Sequence, residues 1–349
     1  MTSRGRLLAA MRFEKVDRAP VASFGLGKLD PNSPIAMELI SRIDPFIEVH
    51  VPGDIYYGAS CEHEARTEGD VTTVISRTPL GELTQRTQVT PITSARTEFP
   101  IKTVEDAERY LSVDYVAPEV DISAFLARKA QIGEEGFVLA GVPDAVALPA
   151  TLLSPTDFCL WWADYPDLML KLANLFSARV NDWVDSLCRA GVDGFRIIGG
   201  EYASVQLGPS GFDALVLEQD RELVDIIHAH GGIAYYHNHG PVMRFMTRFA
   251  QIGMDALDPL EAPPWGDADL RRARELCGDK VAFVGNLDDM EILEKLPFEA
   301  IEPIARERLE AAGDRGFILG GTASGIWTEK AARSFIRLVD VAESFAAGR

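Results

Sequence analysis

Eight short apolar runs recur along this chain, and the stretches between them carry helical patterns. The runs are residues 19–24, 47–51, 136–141, 194–198, 232–236, 256–258, 281–284 and 316–319. Each reads as a buried strand of β-branched, aromatic and other apolar side chains. Parallel strands need a crossover, and right-handed β-α units supply it. Eight such units are the count for an α/β fold of the (β/α)8 TIM-barrel type. A doubly wound open sheet is the competitor, but no G-x-G-x-x-G follows the first strand.

The helical patterns fall at 4–13, ahead of the first strand, and at 103–111, where Thr103 and Asp106 suit a capping box. Others cover 155–190, 210–230, 242–253 behind Pro241, and 329–346. Between 72 and 89 the chain alternates around Pro79 and Leu80, which predicts an inserted β-hairpin. Barrels of 349 residues are routinely one domain, so residues 1–349 are expected to form a single one.

Barrel chemistry gathers at the C-terminal ends of the strands. Those ends carry Asp54, Asp144, Glu201 with Tyr202, His237 with His239, Glu261, Asn286 with Asp288, and Thr322 with Ser324. A helix cap is the ordinary role for Asp or Ser in such loops, and Asp144 and Asp288 suit it. Glu201 and Glu261 each follow a strand without an obvious helix start, which makes them poorer caps. Lys28 is the one cation noted at this face, as a ligand contact or a solvated side chain.

Within this ring, the run Tyr235-Tyr236-His237-Asn238-His239-Gly240 is the most specific. Residues two apart on a strand share a face, so His237 and His239 aim together while Asn238 points away. Two imidazoles at a strand end begin a divalent-metal site. One buried, hydrogen-bonded histidine beside a solvent-facing one is the ordinary alternative. His228 and His230 share the spacing but end a helix, where residues two apart diverge by roughly 200°. They read as cations at a helix C-terminus stopped by Gly231 and Gly232. His50 and His63 have no assigned role.

A formal charge of −19 with no basic cluster excludes nucleic acid and anionic membranes as natural partners. No run approaches the roughly 20 apolar residues of a membrane span. Cys61, Cys159, Cys188 and Cys277 lack C-x-x-C spacing, and the N-terminus leads into a helix rather than a signal segment. Both features lead us to expect a cytoplasmic protein. A small-molecule substrate and a homodimer are the matching partner expectations.

With these motifs in view the chain resembles the uroporphyrinogen decarboxylase superfamily over essentially its full length. The resemblance lies in residues 6–21 (RLLAAMRFEKVDRAPV), 208–213 (GPSGFD), the strand ending in H-x-H-G, and 284–288 (VGNLD). It implies the same (β/α)8 barrel. The superfamily has two arms. One decarboxylates porphyrinogen acetates without a cofactor. The other holds zinc-dependent methyltransferases that move methyl groups between corrinoids and a thiol or folate acceptor, and is similar to cobalamin-independent methionine synthase.

The decarboxylase arm implies arginines after the first strand and a histidine near the last. Residues 24–32 hold no arginine, and residues 320–326 hold no histidine. The methyltransferase arm implies a His-x-Cys strand end, an acidic ligand on the next strand and a cysteine after the last. His237 and Glu261 match, His239 stands where the first cysteine would be, and Thr322 about where the second would be.

The expectation is therefore a metal-dependent methyltransferase or demethylase acting on a small methylated substrate. His237, His239 and Glu261 would hold zinc or another divalent metal, with Glu201 as catalytic base or fourth ligand. Lys28, Asp54, Asp144, Tyr202, Asn286, Asp288, Thr322 and Ser324 would line the substrate. A corrinoid protein is an implied partner. The alternatives are a cofactor-free decarboxylase and a non-catalytic tetrapyrrole- or corrinoid-binding module.

Overall fold

The computed structural model describes residues 1–91 and 93–348. Twelve strands are numbered here in chain order. Eight of them form one parallel sheet: β1 (Val21–Ala22), β2 (Phe46–Val49), β7 (Phe137–Pro143), β8 (Gly194–Ile198), β9 (Ile233–His237), β10 (Ala256–Asp258), β11 (Ala282–Asn286) and β12 (Phe317–Gly320). Their order is β1-β12-β11-β10-β9-β8-β7-β2, every pairing being parallel. A parallel bridge between Phe24 and Phe46 joins the two edges. The sheet thus curls into the expected barrel, with all eight predicted strands in place.

The other four strands, β3 (Glu62–Glu68), β4 (Val71–Thr78), β5 (Gly81–Val89) and β6 (Ser94–Glu98), form an antiparallel sheet inserted after β2. The predicted hairpin at 72–89 is its middle pair. β3 and β6 escaped the sequence reading because they are polar and largely exposed, so they carry no apolar alternation. Leu83, 2% exposed, anchors this sheet in the same core as Tyr57 and Tyr110.

The helical stretches expected over 155–190 are Pro155–Asp164 and Pro166–Ala190, divided where Pro166 has no amide to continue the first. The predicted 210–230 helix is Gly208–Leu215 and Leu217–Ala229, entered through a wide π turn at Tyr202–Leu207. The capping box at Thr103 and Asp106 is present. Among the described residues no helix is long and apolar enough to cross a membrane.

The barrel interior is partly charged. Arg196 on β8 bonds Glu48 on β2 at 2.9 Å and lies 4.0 Å over the Phe24 ring. Gly141 on β7 makes room for this pair, since a Cβ there would stand 2.3 Å from Glu48 Oε1. At the other end the helix Ser3–Met11 closes the barrel floor. Its Arg6 bonds Asp17 at 2.6 Å and buried Asp44 at 2.5 Å, and Arg18 takes the second Asp44 oxygen at 2.7 Å.

Candidate active site

The period of two on β9 carries through the end of the strand. Tyr235 packs inward on Phe46, with ring centroids 4.7 Å apart. Tyr236 points outward, and its hydroxyl donates to Asp220 on the helix Leu217–Ala229. His237 points in again, while Asn238 points away to donate to Ser204 at 3.1 Å. His239 rejoins His237, their rings perpendicular with centroids 4.5 Å apart.

Each imidazole is held from behind. β10 lies beside β9 with Asp258 in register opposite His237. His237 Nδ1 meets Asp258 Oδ1 at 2.9 Å, and His239 Nδ1 meets Glu261 Oε1 at 3.0 Å. Glu261 Oε2 also accepts from the Gly240 amide at 2.8 Å. A neutral ring whose Nδ1–H is given to a carboxylate presents Nε2 as its lone-pair nitrogen. Burial raises the Asp258 carboxyl, but the charge and hydrogen bond of His237, with Arg196, bring it below its ordinary value. Glu261 is likewise lowered, its burial outweighed by His239 and the Gly240 amide. The same hydrogen bond, donated to Glu261, raises His239 above its ordinary value despite burial.

Glu201 and Tyr202 leave β8 on the same face. With His239, Glu261 and Trp265 they line a cleft of about 360 Å³. Glu201 starts the π turn yet makes no side-chain cap, and its Oε2 is buried without a hydrogen-bond partner. Behind it stands Asp144, pushed well up by burial and by the charges of Asp220 and Glu201.

The chemistry of these donors suits a divalent cation: two imidazoles oriented through Nδ1 and, on the cleft that His239 lines, an unpartnered Glu201 carboxylate oxygen. Among the described residues no three His, Cys, Asp or Glu side chains already surround one point. His237 and His239 thus stand as a pair, with no third such side chain on the same point. Glu261, expected from the resemblance as a ligand, has both oxygens committed to His239 and Gly240.

The remaining expected residues divide. Asp144 caps the helix Ala147–Leu152 by accepting from the Ala147 amide at 3.0 Å, and Asp288 caps the turn at Asp289–Leu293. Thr322 and Ser324 are engaged by buried Asp289, which accepts from both amides and from the Ser324 hydroxyl. Asn286 is buried with both side-chain amide atoms unpartnered. Lys28 is exposed and held through its backbone to Trp327. Asp54 lies across the mouth under the inserted sheet, accepting from the amides of Tyr56 and Tyr57. His228 and His230 bond different partners, Asp255 and Asp185, so they diverge as expected.

Residues 87–345 match the model of the uroporphyrinogen decarboxylase (URO-D) family. The chain belongs to the uroporphyrinogen decarboxylase family. Every mouth residue from Asp144 to Ser324 falls inside the matched span, whereas Lys28 and Asp54 precede it. Among curated proteins none matches the chain in sequence. A methyltransferase from Methanosarcina mazei shares its fold with a TM-score of 0.65 at 16% identity, over 97% of this chain and 98% of that one. A B12-independent methionine synthase from Shewanella sp. W3-18-1, in complex with selenomethionine, has a TM-score of 0.51 at 12% identity, over 95% and 98%. At such identities the likeness establishes the family's barrel, not a reaction.

Three residues of this family member went unread in the sequence. Asp258 is the last residue of a buried strand, and its place beside His237 follows from sheet order rather than from any local pattern. Asp289 sits one residue past a predicted cap. Arg196 lies mid-strand, where a charged side chain means either strand-edge exposure or a charged barrel interior.

Proposed function

We propose that this protein is a divalent-metal-dependent enzyme of the methyltransferase arm of its family. It would move the methyl group of a small substrate to or from a corrinoid, thiol or folate partner. The observation that supports this most is the doubled imidazole–carboxylate pair at the barrel mouth. His237 and His239 would hold the metal through Nε2, with Glu201 as the third donor. A zinc ion there supplies Lewis acidity that eases deprotonation of a thiol or hydroxyl acceptor.

The rest is the work of the chain's own groups. Asp258 and Glu261 fix the tautomer and aim of the two rings. When Glu201 is not bound to metal, its unpartnered oxygen can accept a proton from the acceptor. Trp265 and Tyr202 wall the cleft. The exposed Lys28 and the absence of arginine in residues 24–32 leave little to grip a porphyrinogen's carboxylates.

Metal analysis of protein purified without added metal, then reconstituted with zinc, tests the reading. About one equivalent is expected in the native chain and a loss in His237→Ala/His239→Ala. Below about 0.2 equivalents after reconstitution the reading fails, because zinc held by a built site binds tightly.

A further inference from the structure

Arg96, on β6 of the inserted sheet, lines a second cleft of about 400 Å³ between that sheet and the loop after β2. Tyr56, Tyr57, His63, Ser76 and Gln85 share its wall. Among the described residues Arg96 makes no ion pair. Its Nη1 donates to the Thr151 carbonyl, and its guanidinium sits 5.6 Å from the Phe99 ring. The one carboxylate on this wall, Asp54, is engaged by two backbone amides and lies 3.5 Å from His63 Nε2.

Tyr56 lines this cleft and Tyr202 the first one, and Tyr202 adds to the burial that raises the Tyr56 hydroxyl. The charge of Arg96 reaches the hydroxyls of Tyr56, Tyr57 and Tyr202. An anionic group placed at the mouth would face the Glu201 carboxylate, while at Arg96 it meets a planar fork matched to a carboxylate.

We infer that the inserted sheet carries the substrate-selecting site, in which Arg96 binds the carboxylate of a small acid in the cleft that Tyr56 and Tyr57 help to line. Placing its methyl-bearing end beside His239 and Glu201 rests on the function proposed above. The capture of the carboxylate by Arg96 does not.

Calorimetric titration of the full-length protein with benzoate, and with uncharged benzamide, separates the two. Benzoate should bind about tenfold or more tightly than benzamide, the difference a charge-assisted pair supplies. Arg96→Gln should abolish that preference, and Arg96→Lys should restore part of it, both without change in zinc content or melting temperature. His237→Ala/His239→Ala should keep the preference while losing metal, so a failed metal site and a failed acid site give different results. The inference is overturned if the native protein binds both probes alike, if it binds no benzoate at about 10 mM, or if folded Arg96→Gln prefers benzoate as the native protein does.

Discussion

A histidine two residues from another says little until something fixes its ring. Here the fixing group is a carboxylate on the neighbouring strand, and it decides which nitrogen faces the mouth. Asp258 is 2% exposed and spends its charge on His237. Asp258→Asn keeps the volume but removes the acceptor charge that holds the ring. It should weaken zinc binding by about 10–100-fold, as loss of such an orienting group does elsewhere. Competition against a chelating dye measures this, and native affinity in the variant would reject the orienting role. The spacing of His237 and His239 was readable because a strand has a period of two. Asp258 was not, because which strand lies beside which is a matter of sheet order.

Elements rather than residues close the barrel floor. The helix Ser3–Met11 begins on the Thr2 side chain, which accepts from the Gly5 amide at 3.1 Å. It places Arg6 over Asp44, a carboxylate that is fully buried and shared with Arg18. This is where residues 6–21, the opening segment of the family resemblance, do their work. They hold the N-terminal face, the end of such barrels that supports stability rather than chemistry. Removing one partner of a buried ion network strands the others without water. Asp44→Ala should therefore cost about 3–5 kcal/mol of unfolding free energy. Urea denaturation reads this directly, and a loss below about 1 kcal/mol would place the network among solvent-screened pairs. The inserted sheet shows the opposite case. Its polar outer strands carried no pattern, so only the central hairpin was visible beforehand.

Across the whole molecule, charge is the dominant liability, and part of it is buried. Asp220 is fully buried and pushed up to about 7 by desolvation, against the hydrogen bond from Tyr236. Its folded value lies above its unfolded one, so the native state holds the extra proton between the ordinary 3.8 and about 7. Stability is therefore highest at the acid end of that window for this group and falls as pH rises through it. The loss is up to about 4 kcal/mol for a shift of roughly three units. Asp220→Asn retains an acceptor for Tyr236 and has no proton to lose. Its melting temperature relative to the native protein should rise between pH 5 and pH 8, and a constant difference would contradict the assignment.

By itself the amino-acid sequence settled the barrel, because eight buried strands alternating with helices have few other ways to hide both faces of a parallel sheet. It also settled that His237 and His239 share a face, since that follows from local geometry alone. Tertiary structure alone decided the rest of the site. Glu261 became the support of His239, because the loop after β10 brings its carboxylate to Nδ1 and to the Gly240 amide. Thr322 and Ser324 became loop anchors because Asp289, distant in sequence, reaches their amides. Arg96 came to line a cleft under the inserted sheet, on a strand that looks like any exposed polar segment. Such pairings join residues tens of positions apart, where no periodicity reaches and only packing sets who meets whom.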